Sequence, residues 1–156
     1  MEKKIVYFDM DGVLCQFRKR FKEEIKRNPT IKFPQATYGF FTSLEPHLTM
    51  GALYKALDKQ EKLQVHILTA PSYLNPLCYT EKRVWVEKYF GLEAAEKMII
   101  SGYKNLLKGD YLIDDCPSGK GQDKFEGKLL LVDEDKMGES IISILTTIKE
   151  DLDLID

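Results

Sequence analysis

Cysteine is scarce in these 156 residues, and the three present, Cys15, Cys78 and Cys116, form no CxxC pair. Neither of the two histidines, His47 and His66, has a cysteine or aspartate at a metal-ligand spacing. A disulfide framework and a zinc finger are therefore excluded, and reduced thiols in a cytoplasmic protein are expected. No apolar run approaches the ~18 residues of a membrane span. The N-terminal MEKKIVYFDMDG has an apolar stretch that stops at an aspartate, too short for the core of a signal peptide. Charge of one sign is also lacking: the net charge is −2. That leaves no basic face for a polynucleotide, although one lysine and one metal suffice for a single-nucleotide site. Internal repeats, low-complexity tracts and interdomain linkers are missing as well.

What is present is ordinary for a soluble globular chain, with 44% hydrophobic and 31% charged residues. The length favours one domain with a sizeable core. Residues 4–8 (KIVYF) are a short apolar, β-rich run, as a buried parallel strand would be. Residues 17–28 are charged but carry Phe17, Phe21 and Ile25 at helical spacing, and Pro29 ends that helix. Residues 30–46 are irregular and aromatic-rich. A helix over 48–61, a strand over 63–68 (LQVHIL) and a helix over 80–90 follow, the last with Thr80 as N-cap and Gly91 just past its end. Strands at 98–100, 111–113 and 128–132, a short helix at 105–108 and a helix at 139–149 complete the alternation. Strands alternating with helices predict an α/β fold with a mainly parallel sheet.

The chemistry-bearing residues fall at the strand ends. Asp9 closes the first strand, Asp11 stands two residues on, and Gly12 permits a sharp turn. Ligands of an open α/β sheet bind outside the carboxyl ends of its strands. Two carboxylates so close are mutually unfavourable unless a proton or cation intervenes. Mg²⁺ suits them, since it takes oxygen ligands and keeps waters and substrate phosphate in its shell. An EF-hand counted from Asp9 fails, because Val13 and Arg20 would stand at ligand positions. Thr69 follows LQVHIL, where a hydroxyl and adjacent backbone N–H groups can hold phosphate oxygens. Asp114 and Asp115 follow the run YLI, and Lys104 lies ahead of that strand. Each of these has a bland reading as a turn, a cap or a surface charge. Their convergence on one edge of a parallel sheet favours a site.

Together FDMDGV, ILTA, Lys104 and LIDD resemble, in order, the four motifs of the haloacid dehalogenase-like superfamily. The stretches LTAPSYLNPLCYTEKRVWVEKYFG and KGDYLIDDCPSGKGQDKFEG are similar to the 5′(3′)-deoxyribonucleotidases and their bacterial relatives. The resemblance implies a Rossmann-like parallel sheet flanked by helices, with a small cap over about residues 14–46. It implies a Mg²⁺-dependent phosphatase of nucleoside monophosphates, with Asp9 as nucleophile and Asp11 as general acid and base. Thr69 and Lys104 would hold the phosphate. Mg²⁺ would be held among Asp9, Asp11, Asp114 and Asp115. The acidic pair diverges, so one member binds metal directly and the other through water or by orienting Lys104. Two positions depart from the pattern. Gly102 stands where relatives can have Arg, and Cys116 where they often do.

The aromatic residues of the cap, Tyr38 and Phe41 foremost, are candidates to stack on a base or to fill the space between cap and sheet. Trp85 at helical spacing with Tyr89 is expected in the core. Rival readings are a phosphatase of another small phosphate ester and a phosphate- or metal-binding module without turnover. Asp11, needed for proton transfer, weighs against the second.

Overall fold

The run after the N-terminal lysines becomes β1 (Lys4–Phe8), the middle strand of a parallel sheet in the order β3-β2-β1-β4-β5. The structure is a computed structural model and describes residues 2–153. The other strands are β2 (Leu63–Thr69), β3 (Ile99–Ile100), β4 (Tyr111–Asp114) and β5 (Lys128–Leu131). Val6 pairs with Val65 on one side and Tyr111 on the other, and Phe8 with Ile67 and Ile113. Parallel pairing requires crossovers. These carry α1 (Phe17–Arg27), α2 (Leu48–Asp58), α3 (Cys78–Phe90) and α4 (Leu92–Glu96), while α5 (Met137–Asp151) follows the last strand. The chain winds outward through β2 and β3, then returns to β4 on the far side of β1. That reversal opens a crevice at the carboxyl ends of β1 and β4.

Both faces of the sheet are covered. Val6 and Phe8 enter the larger core with Val65, Ile67, Tyr54, Trp85 and Ile144. Tyr7, pointing the other way as a strand's period of two requires, packs with Leu68, Leu112 and Phe125. The sheet is thus the α/β arrangement expected from the alternating runs.

Some boundaries differ from expectation. The second helix ends at Asp58 rather than 61, where Gln60 N–H donates to Leu57 C=O and turns the chain into β2. The third begins at Cys78, so Thr80 lies within its first turn and caps nothing. Asn75 instead accepts from the Leu77 N–H. Gly91 follows Phe90 with φ +90°, a left-handed conformation suited to glycine. The short α4, with Ala94 and Ala95 buried, was not legible as a separate helix.

In the segment 14–46, α1 is followed by single 3₁₀ turns at Pro34–Ala36 and Phe41–Ser43. Its two ends meet: Gln16 N–H donates to Glu45 C=O, and Cys15 bridges to Pro46. Trp85 Nε1 donates to Leu44 C=O at 2.8 Å, fastening the segment's end to α3.

Candidate functional site

Where β1 stops, the backbone turns sharply. The N–H groups of Val13, Leu14 and Cys15 all point at the Met10 carbonyl, at 2.9–3.2 Å. Gly12 takes φ +78° within this turn, a conformation L side chains resist. Asp9 and Asp11 are thereby presented at the crevice. Asp9 is tied to β4 through its N–H, which donates to the Ile113 carbonyl at 2.9 Å.

A buried lysine serves each of these aspartates. Lys104, in the 3₁₀ turn Lys104–Leu106, places Nζ 2.9 Å from Asp9 Oδ1 and 2.6 Å from Asp114 Oδ2. Burial pulls its ammonium down, but the charges of Asp9 and Asp114 outweigh burial and hold it above its ordinary value. Lys82, on α3, is fully buried. Its Nζ donates to Asp11 Oδ2 (2.8 Å), Thr69 Oγ1 (2.8 Å) and the Ala70 carbonyl (2.6 Å). All three ammonium donors are therefore used, and the ring of Phe41 faces the same nitrogen at 4.9 Å.

Lys82 was not foreseen. The signal was there: Lys82 falls on the helical stripe of Cys78, Trp85, Val86 and Tyr89, where a charge is out of place unless it has partners. Its neighbour Glu81, also buried, reaches the other way. It accepts from the N–H groups of Gly39 (2.6 Å) and Phe41 (3.0 Å). One turn of α3 thus grips both the sheet edge and the segment 14–46.

The acidic pair divides. Asp114 is saturated, accepting from Lys104, from the Cys116 N–H (2.9 Å) and from Gln122 Nε2. Asp115 has no such cation. Burial, then the charges of Asp9 and Asp114, push its carboxyl up to about 7. Burial and the neighbouring carboxylates likewise raise Cys116 to about 11, so it stays a neutral thiol. The oxygens of Asp114 and Asp115 and the Cys116 sulfur lie within 4.8 Å of one another.

A cavity of about 370 Å³ opens beside Asp11, Gly12 and Asp115, walled by Phe17 and Phe21 with Arg18 and Lys22. The two rings stack, 6.0 Å apart at 27°. Of the aromatic candidates from the sequence, Phe41 is only 1% exposed and packs against Phe17 and Phe40. Tyr38 is 64% exposed. Neither lines this cavity. The rings that do were legible as a helical stripe but not as a pocket.

Aspartates, threonine and lysine converging on one edge of a 3-2-1-4-5 sheet make this a protein of the haloacid dehalogenase-like class. Comparison with known proteins narrows it. The family model described as 5′ nucleotidase, deoxy (pyrimidine), cytosolic type C protein matches residues 27–137, a span holding Thr69, Lys82, Lys104 and the acidic pair. A protein of Vibrio phage KVP40, provisionally named a 5′(3′)-deoxyribonucleotidase, is 31% identical over 150 residues, 94% of this chain and 86% of the phage protein. The human cytosolic-type 5′(3′)-deoxyribonucleotidase is 31% identical over 154 residues, 76% of this chain and 74% of the relative. The human mitochondrial one is 29% identical over 145 residues, 74% of this chain and 64% of the relative. The chain belongs to the 5′(3′)-deoxyribonucleotidase family, whose members are phosphatases of phosphomonoesters. Among the described residues no helix is long and apolar enough to cross a membrane.

Proposed function

We propose that the chain is a Mg²⁺-dependent phosphomonoesterase that dephosphorylates (deoxy)nucleoside monophosphates through an aspartyl-phosphate on Asp9. The observation that carries this reading is the juxtaposition of two aspartates two residues apart, each tied to its own buried lysine.

The residues present fit a hard divalent cation. Asp9, Asp11 and Asp114 are ion-paired to two lysines, Lys82 and Lys104, and burial together with the charges of Asp9 and Asp114 raises Asp115. Asp9, the Asp11 backbone carbonyl and Asp115 would hold the ion, all through oxygen. When bound, it would offset negative charge on the transferring group. Asp114, saturated by donors, serves instead to aim Lys104.

The chain's own groups do the rest. A carboxylate oxygen of Asp9 attacks phosphorus, and the bond to the ester oxygen breaks. Asp11 gives its proton to that leaving oxygen, then takes one from the water that hydrolyses the acyl phosphate. Lys82 fixes the Asp11 side chain, and Thr69 and Lys104 hold phosphoryl oxygens. Residues 14–46 act as a small cap on a single domain. Their Phe17 and Phe21 offer a flat apolar wall next to Asp11, on the leaving-group side, with volume enough for a nucleoside. Arg18 and Lys22 at its edge favour an anionic ligand.

The test is phosphate release from deoxy- and ribonucleoside 5′- and 3′-monophosphates and from sugar phosphates, with Mg²⁺ and with EDTA. Turnover of a deoxynucleoside monophosphate that needs Mg²⁺ supports the reading. Turnover of sugar phosphates alone removes the nucleotide, and turnover undiminished by EDTA removes the metal.

A further inference from the structure

Glu134 opens the 3₁₀ turn Glu134–Lys136 after β5. The turn is firmly built. Val132 N–H donates to the Asp114 carbonyl, Asp133 N–H to Ser140 Oγ, and Asp135 N–H to Asp133 Oδ1. The Glu134 side chain is 10% exposed. One oxygen, Oε2, lies 3.1 Å from His47 Nε2. The other, Oε1, is shut off from solvent and has no hydrogen-bond partner. A buried acceptor left so is destabilising, and no lysine or arginine among the described residues pairs with it.

The direction of Oε1 explains the expense. A β-carbon on Gly12 would collide with the Asp115 carboxylate and stand 2.9 Å from Glu134 Oε1. The glycine that shapes the nucleophile's turn therefore also leaves room for two carboxylates to approach the same spot. Both line the cavity beside Asp11. Two like-charged groups facing one another, one of them unpartnered, form a poor packing arrangement unless something donating and positive stands beside them.

We propose that Glu134 is a positioning residue of the metal centre, its Oε1 accepting from a water of the ion's shell while His47 holds Oε2. The inference rests on the metal-dependent reading above. Mg²⁺ keeps several of its waters when bound by protein, and carboxylates outside the inner ligands orient such shells. His47 immediately precedes α2, just past the segment 14–46, and its backbone N–H donates to the Leu14 carbonyl. The pair therefore also links the metal side of the crevice to the cap.

Calorimetric titration of the full chain with Mg²⁺ tests this without recourse to turnover. Glu134→Ala and the milder Glu134→Gln should each raise the Kd roughly 10- to 100-fold, the usual effect of losing an outer partner. Their metal-free melting temperatures should be unchanged or higher, since an unpartnered carboxylate has gone. A purely structural role for the His47 pair gives the reverse, a lower melting temperature and a Kd within twofold of wild type, and overturns the proposal. Asp115→Asn is the reference for loss of an inner ligand. Wild type that binds no Mg²⁺ sinks the metal reading along with this one, whereas wild type that binds it with Glu134 variants unaffected sinks this one alone.

Discussion

Replacing Lys82 with methionine removes an ammonium but keeps a stem of similar length in the stripe with Trp85 and Val86. Three acceptors lose their donor: Asp11 Oδ2, Thr69 Oγ1 and the Ala70 carbonyl. Breaking a buried pair by removing one partner costs about 3–5 kcal/mol. The Asp11 side chain retains 26% exposure, so water offsets part of this. A loss of about 2–3 kcal/mol is expected. At about 2–4 °C per kcal/mol for a chain of this size, the melting temperature should fall by roughly 5–10 °C. Circular dichroism melts of Lys82→Met, Asp11→Asn and the double variant measure it. The double variant should be less destabilised than the sum, by up to ~3 kcal/mol, because the second change removes the stranded charge. Phosphatase activity should fall with Lys82→Met as well, since Asp11 loses its fixed orientation. A cost below about 1 kcal/mol, or strict additivity with Asp11→Asn, would refute the coupling of these two residues.

Asp9→Asn should cut kcat by at least ~10³-fold, as loss of a covalent nucleophile does, while circular dichroism shows a folded chain. Activity near wild type would reassign the nucleophile. For Asp115, a carboxyl whose folded pKa lies above its unfolded value binds its proton more tightly in the folded state. Metal-free stability should therefore decline as pH rises from the ordinary 3.8 through about 7, then level off. The difference in melting temperature between wild type and Asp115→Asn, followed from pH 5 to 8, should grow in favour of the variant, and parallel curves would contradict it. Mg²⁺ affinity should weaken below about pH 7, where protons compete for the same oxygen. Gly12→Ala forces a β-carbon against Asp115 at a left-handed φ. It should cost at least ~1–2 kcal/mol in backbone strain and disrupt Mg²⁺ uptake, both read from a thermal melt with and without the metal.

The strands that carry the site were legible because buried parallel strands read as unbroken apolar runs, and KIVYF, LQVHIL and YLI stop where the chemistry begins. The aspartates and Thr69 follow from those endings, whereas Lys104, in a 3₁₀ turn ahead of β4, was marked by the motif resemblance. Lys82 was hidden in TEKRVWVEK, where charges on several faces of the helix mask the one that points inward. Glu134 was hidden by distance, since nothing local to VDEDK marks its approach to Gly12. That Phe17 and Phe21, rather than Tyr38 and Phe41, line the cavity beside Asp11 was hidden for a similar reason. The segment 14–46 holds many rings, and which of them face a cavity depends on how Glu81 pins Gly39 and Phe41, not on spacing. Thr80 had the composition of a cap, but the helix begins two residues earlier with no side-chain cap, and Asn75 accepts from the Leu77 N–H in the turn that leads into it.

The middle position of β1 has a consequence for how the molecule comes apart. Its amides are flanked by β2 and β4 and covered on both faces, whereas β3 at one edge is two residues long. In hydrogen–deuterium exchange, β1 should be released only when the whole chain opens, while β3 exchanges through local fraying. Asp9 stands at the end of that central strand, its N–H bonded to the Ile113 carbonyl of β4. Loosening at the periphery would therefore leave Asp9 in place, and heat inactivation should track global unfolding rather than precede it.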